Sequence, residues 1–120
     1  MARVVALVPD LLFGSQVQGM LAAAGDEVEL VGNAERAREK WSPAPEVLVV
    51  DLVDPDLDGA ALVESLAAAG LLGQTRTLGF YSHVDASARE RAEQAGFDLV
   101  VPRSRMAREG AQLVADLISG

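Results

Sequence analysis

The sequence predicts an α/β domain of the doubly wound class. Three observations carry that expectation: short apolar runs alternate with segments of helical periodicity, the runs are apolar at nearly every position, and two of them run out at an aspartate. Nearly continuous apolar runs suit parallel strands covered on both faces, and the intervening helices supply the cover.

The elements follow in order. Val4 to Val8 reads as the first strand, broken by Pro9-Asp10. From Ser15 the spacing becomes Val17, Met20, Leu21 and Ala24, one buried face of a helix stopped by Gly25. Val28 to Val31 gives a second strand, and Asn33 caps a polar helix running to Trp41, before Ser42-Pro43-Ala44-Pro45. Val47-Leu48-Val49-Val50 is the strongest strand signal and leads directly into Asp51. Asp58-Gly59 opens a third helix with Leu62, Val63 and Leu66 on one face, closing near Gly70, and Thr77 to Phe80 reads as the fourth strand. Ser87 and Glu90 stand in capping-box spacing before a polar helix to Ala95, followed by Leu99 to Val101 as the fifth strand. The last helix carries Met106, Gly110, Leu113, Val114 and Leu117 in one apolar stripe. Strands and helices in alternation imply right-handed crossovers and helices on both faces of a parallel sheet.

Composition bounds the function. The chain has 120 residues, half of them hydrophobic, enough for one domain with its own core. It has no cysteine, which excludes disulfides, thiolate catalysis, iron-sulfur clusters and cysteine-based zinc sites. The first apolar run is too short for a membrane span or signal-peptide core, so the expected location is the cytoplasm, with no membrane partner. A formal net charge of −8 repels phosphate backbones, so no direct nucleic-acid partner is expected, although Arg103, Arg105 and Arg108 could form a local basic patch.

In doubly wound folds, chemistry sits beyond the carboxyl ends of the strands where the strand order reverses. Asp10, Asp51, Tyr81 and Pro102 are the strand-terminal residues, and parallel pairing of strands one and three would bring the two aspartates together. Clustered carboxylates repel unless a cation or proton relieves them, and magnesium accepts one or two carboxylates while keeping places for water and phosphate oxygens. The plainer alternative is two loop-initiating aspartates, solvated or capping a helix.

The segment Asp51-Leu52-Val53-Asp54-Pro55-Asp56-Leu57-Asp58-Gly59 resembles the receiver domains of two-component response regulators, with Pro four and Gly eight residues after the aspartate. The resemblance extends along the chain, from Val8-Pro9-Asp10 to Val101-Pro102. It implies a flavodoxin-like topology with strand order 2-1-3-4-5, in a single domain over residues 1–120 with no output domain. It also implies that Asp51 matches the phosphoacceptor, that Asp10 matches one of two magnesium-holding acids, and that the Val53 carbonyl matches a backbone metal ligand. Three positions depart from the family pattern. Pro9 stands where a second acid is usual, so magnesium should bind more weakly. Tyr81 aligns with the responsive Thr or Ser, its hydroxyl too far from the backbone; Ser82 could substitute only if the strand shifted by one residue, which would reverse the facing of its neighbours. Val101 aligns with the Lys that pairs with the acyl phosphate, and Arg103, two residues on, could reach back instead.

Other motifs carry less. Asp54 to Gly59 fits the opening of an EF-hand loop, but Ser65 falls where a bidentate Glu is required. His83 is the only histidine, so no histidine-based metal cluster is available, and Ser82, His83 and Asp85 are too close in sequence to present a catalytic triad. Gly70-Leu71-Leu72-Gly73 leads towards a strand, unlike a phosphate-binding loop. Trp41 and Met106 read as edge-of-core packing, and the run from Arg89 to Glu93 as a solvated helix face. The leading expectation is a stand-alone receiver-like signalling protein of a two-component phosphorelay. It would be non-enzymatic and bind a histidine kinase or other signalling protein, with a homodimer through helix 4, strand 5 and helix 5 as an alternative assembly. The competing expectation is a phosphorylation-independent pseudo-receiver scaffold. An enzyme on a flavodoxin-like fold stands last, because fold alone does not establish function.

Overall fold

A computed structural model describes residues 2–120. The chain runs β1 (Arg3–Leu7), α1 (Leu11–Ala23), β2 (Glu27–Val31), α2 (Ala34–Glu39), β3 (Val47–Asp51), α3 (Gly59–Ala68), β4 (Arg76–Tyr81), α4 (Ala86–Ala95), β5 (Leu99–Pro102) and α5 (Arg103–Ser119). The strands form one parallel sheet in the order β2-β1-β3-β4-β5, as the sequence predicts.

Side-chain alternation divides the core into two layers. Val4, Ala6, Val47, Val49, Leu78, Phe80 and Val101 point to one face, where Phe13, Val17 and Leu21 of α1 and Met106, Leu113 and Val114 of α5 cover them. Val5, Leu7, Leu48 and Val50 point to the other, against Ala37 of α2, Leu62, Val63 and Leu66 of α3, and Ala92 of α4. All five residues of β3 are buried, which accounts for its unbroken apolar run. Burying each large aliphatic side chain contributes about 1.5–3 kcal/mol, so β3 and its neighbours hold the centre of the molecule.

The limits of β1, β2, β4 and β5 shift by one residue from the sequence reading, and three helix ends differ through a cap or a tertiary contact. Helix α1 starts four residues before Ser15, at Leu11, because the Asp10 carboxylate accepts a hydrogen bond from the Phe13 amide at 2.9 Å. The α4 cap is Asp85, which accepts from the Ala88 amide and the Ser87 hydroxyl; Ser87 therefore supports the cap and does not form the expected capping box. Helix α2 is capped by Asn33 as expected but ends at Glu39, leaving Trp41 beyond it, buried and donating from its indole N–H to the Leu71 carbonyl. No helix among the described residues is long and apolar enough to cross a membrane.

Candidate functional site at the carboxyl edge of the sheet

The strand order reverses between β1 and β3, so the segment after β1 and the end of β3 lie side by side. Asp51, the last residue of β3, is 4% exposed. Its Oδ1 accepts the Val53 amide at 2.7 Å and the Asp54 amide at 3.2 Å, a local turn that starts the loop towards α3. Burial pushes the Asp51 carboxyl above the usual carboxylate range; the Val53 and Asp54 amides and, more weakly, the Arg103 guanidinium oppose that rise.

The loop from Asp54 to Asp58 is tied down by its own acids. Asp54 accepts from the Asp56 amide, and Asp58 caps α3 through the Ala61 amide. Gly59 then meets β3 so closely that a Cβ there would collide with Cγ1 of Val50. The Gly in the motif is thus a packing requirement, set by the angle at which α3 leaves the sheet edge.

Asp10 caps α1 through Oδ1, and its Oδ2 lies 3.6 Å from the Arg103 guanidinium. Its carboxyl is held below the usual range, first by the Phe13 amide and further by Arg103. Arg103, the first residue of α5, also lies over the Phe13 ring at 4.3 Å, and Phe13 packs on Phe80 with ring centroids 5.0 Å apart. An arginine stacked in this way is worth about 0.5–1 kcal/mol and is fixed in direction. The sequence offered Arg103 only as a residue able to reach back. The aromatic platform that holds it joins α1 to β4, and spacing along the chain does not signal it.

Register decides which hydroxyl shares the site. Asp51 pairs with Phe80, and Tyr81 pairs with Pro102. Alternation puts Asp51 and Phe80 on the α1/α5 face and Tyr81 on the opposite one, where it is buried. Ser82, just past the strand, lines a cavity of about 370 Å³ with Phe13, Val53, His83, Arg103, Ser104 and Ala107. Of the two hydroxyls named from the sequence, Tyr81 lies on the face opposite Asp51, and Ser82 lies beyond the ladder, where it reaches this cavity without a register shift. Val101 is 1% exposed in the core, as an apolar residue at that position should be. A larger cavity of about 620 Å³ opens at the amino edge among Pro45, Leu72, Arg76 and Ile118, and contains none of these residues.

The donors available for magnesium are few. Pro9 offers no side-chain oxygen, Asp10 uses one oxygen as a helix cap and turns the other to a guanidinium, and Asp51 has one oxygen committed to two amides. No three His, Cys, Asp or Glu side chains among the described residues are grouped to hold a metal. Magnesium demands near-octahedral oxygen coordination, and the set expected from the sequence, Asp10, Asp51 and the Val53 carbonyl, does not fit it with Arg103 in place. The three arginines of the expected basic patch each pair with an acid: Arg103 with Asp10, and Arg105 and Arg108 with Glu109.

No protein-family model and no curated protein sequence matches the chain. Solved structures do. A receiver domain of a Francisella response regulator superposes with a TM-score of 0.85 at 16% identity, covering 99% of this chain and 98% of that one. The signal receiver domain of a histidine kinase from Syntrophus aciditrophicus gives 0.86 at 21%, covering 100% and 92%. A beryllofluoride-activated DrrB receiver domain gives 0.84 at 17%, covering 100% and 99%. With the strand order β2-β1-β3-β4-β5 and this agreement over nearly the full length, the chain has the receiver-domain fold.

Proposed function

We propose that this protein is a receiver-fold signalling module that acts by binding another protein and whose carboxyl edge is held in one state without phosphoryl transfer. The observation that carries this reading is the placement of Arg103, paired with Asp10, stacked on Phe13 and sharing a cavity with Val53. Phosphoryl transfer depends on positioned cations that neutralise developing charge. Here the fixed cation already faces the Asp10 carboxylate, the Lys position is a buried valine, and the magnesium donors are incomplete.

The same edge supports protein binding. Leu11 and Leu12 at the start of α1 are 84% and 87% exposed, and Val84 in the loop after β4 is 80% exposed. Large apolar side chains displayed around a recessed polar site suit a partner protein better than a small substrate. The partner class that fits is a histidine kinase or another signalling protein.

A second reading keeps Asp51 as phosphoacceptor, with Ser82 as the responding hydroxyl and Arg103 as the cation. The cavity that Ser82 and Arg103 share with Val53, two residues after Asp51, favours it. One experiment separates the two. The protein is incubated with magnesium and acetyl phosphate, or with beryllofluoride, and intact mass and melting temperature are recorded for wild type and Asp51→Asn. The first reading expects no adduct and no Asp51-dependent stabilisation; a phosphoryl adduct lost in Asp51→Asn establishes the second.

A further inference from the structure

We infer that Arg103 is the resident cation of the Asp10–Asp51 pair, a tethered guanidinium that does the work of a divalent metal and keeps one out. The inference deepens the phosphate-independent reading of this edge, but its probe is magnesium alone, so each can fail without the other.

The geometry separates Arg103 from an ordinary surface arginine. Its guanidinium is held from two directions, by the Asp10 carboxylate at 3.6 Å and by the Phe13 ring at 4.3 Å. Phe13 is itself 5% exposed and packs on Phe80, the residue paired in register with Asp51. The cation therefore stands on the same rigid layer that positions the buried carboxylate. Arg103 pairs with Asp10 and lines one cavity with Val53, two residues after Asp51, whereas Arg105 and Arg108 both pair with Glu109.

Physical chemistry favours the guanidinium over magnesium here. Magnesium gives up its water shell reluctantly and needs several well-placed oxygens, whereas a guanidinium is weakly hydrated and needs only a carboxylate edge and a flat surface to stack on. Being covalently attached, it is present at an effective concentration no dilution removes. A divalent ion entering between the acids would also face the repulsion of the fixed positive charge.

The test follows thermal unfolding of the full chain as magnesium is raised at constant ionic strength, with no phosphodonor. The melting temperature of the wild type should not move. In Arg103→Gln, magnesium should produce a saturable rise of roughly 5 °C at ten times Kd, and the added change Asp51→Asn should abolish it. Arg103→Lys keeps the charge and should remain insensitive. A wild-type rise equal to that of Arg103→Gln, or no rise in Arg103→Gln, overturns the inference. Should Arg103→Gln not fold, the wild type still decides through its amide NMR spectrum. Saturable magnesium shifts at Val53 and Asp54 that vanish in Asp51→Asn overturn the inference; unchanged cross-peaks support it.

Discussion

The end of β3 and the ends of β4 and β5 are neighbours on one sheet edge, yet they are finished differently. At β3 the chain keeps a buried carboxylate, satisfies it with two backbone amides, and leaves through a loop whose acids cap their own turns before Gly59 fits against Val50. At β4 the last residue is buried Tyr81, and at β5 it is half-buried Pro102 after buried Val101, with the rim closed by packing and by the Phe13–Phe80 pair. The first end is a polar turn whose acids accept the amides of its own loop and of the helix that follows. The second is core extended to the rim. Two neighbouring strand ends of one sheet edge are thus closed by different means, one by backbone amides and the other by packing.

The largest expected effect tests the packed end. Phe80→Ala removes a fully buried ring beneath the Phe13–Arg103 stack and should cost about 3–5 kcal/mol in urea unfolding. A loss below about 1 kcal/mol would mean that packing does not hold this end. At the polar end, Gly59→Ala should cost about 1–3 kcal/mol, because the added methyl drives α3 away from Val50. Unchanged stability there would make the glycine dispensable and its packing role wrong.

Asp51→Asn should have a smaller effect, of opposite sign. Burial raises the folded-state pKa above the ordinary value of 3.8, so the folded chain retains a proton that the unfolded chain has lost. Stability from this group therefore falls as pH rises from the ordinary value through the folded one. Asn does not titrate, so the variant should melt higher than wild type at neutral pH, and its advantage should shrink as pH falls towards 4. A variant that melts lower at pH 7 would show the carboxylate to be stabilising. The smallest effect belongs to Leu12→Ser, expected within about 0.5 kcal/mol because the side chain is 87% exposed. A larger loss would mean that Leu12 packs in the fold and is not a free docking residue.

Much of the fold was legible along the chain because burial on both faces of a parallel sheet leaves a local mark. Val47 to Val50 could only be a central strand, and the stripe from Met106 to Val114 could only be a helix with one covered face. The caps were less legible. An aspartate before a helix and an aspartate bound to metal read alike in sequence, and Asp10 proved to be the cap of α1. Which hydroxyl faces the site was not legible by counting along β4, because the facing of Tyr81 and Ser82 depends on which residue pairs with Asp51. Arg103 was in view, but its stack on Phe13 was not.

By itself the sequence determined the alternation of elements, the doubly wound class, the strand-end position of Asp51 and the unsuitability of Pro9 and Val101 for acid and cation roles, all of which rest on residue type and local spacing. Tertiary structure alone decided that Ser82 lines one cavity with Val53 and Arg103 and that Arg103 rests on Phe13 facing Asp10. Those contacts join β4, α1 and α5, and a contact between distant segments depends on register and packing, which no local pattern encodes.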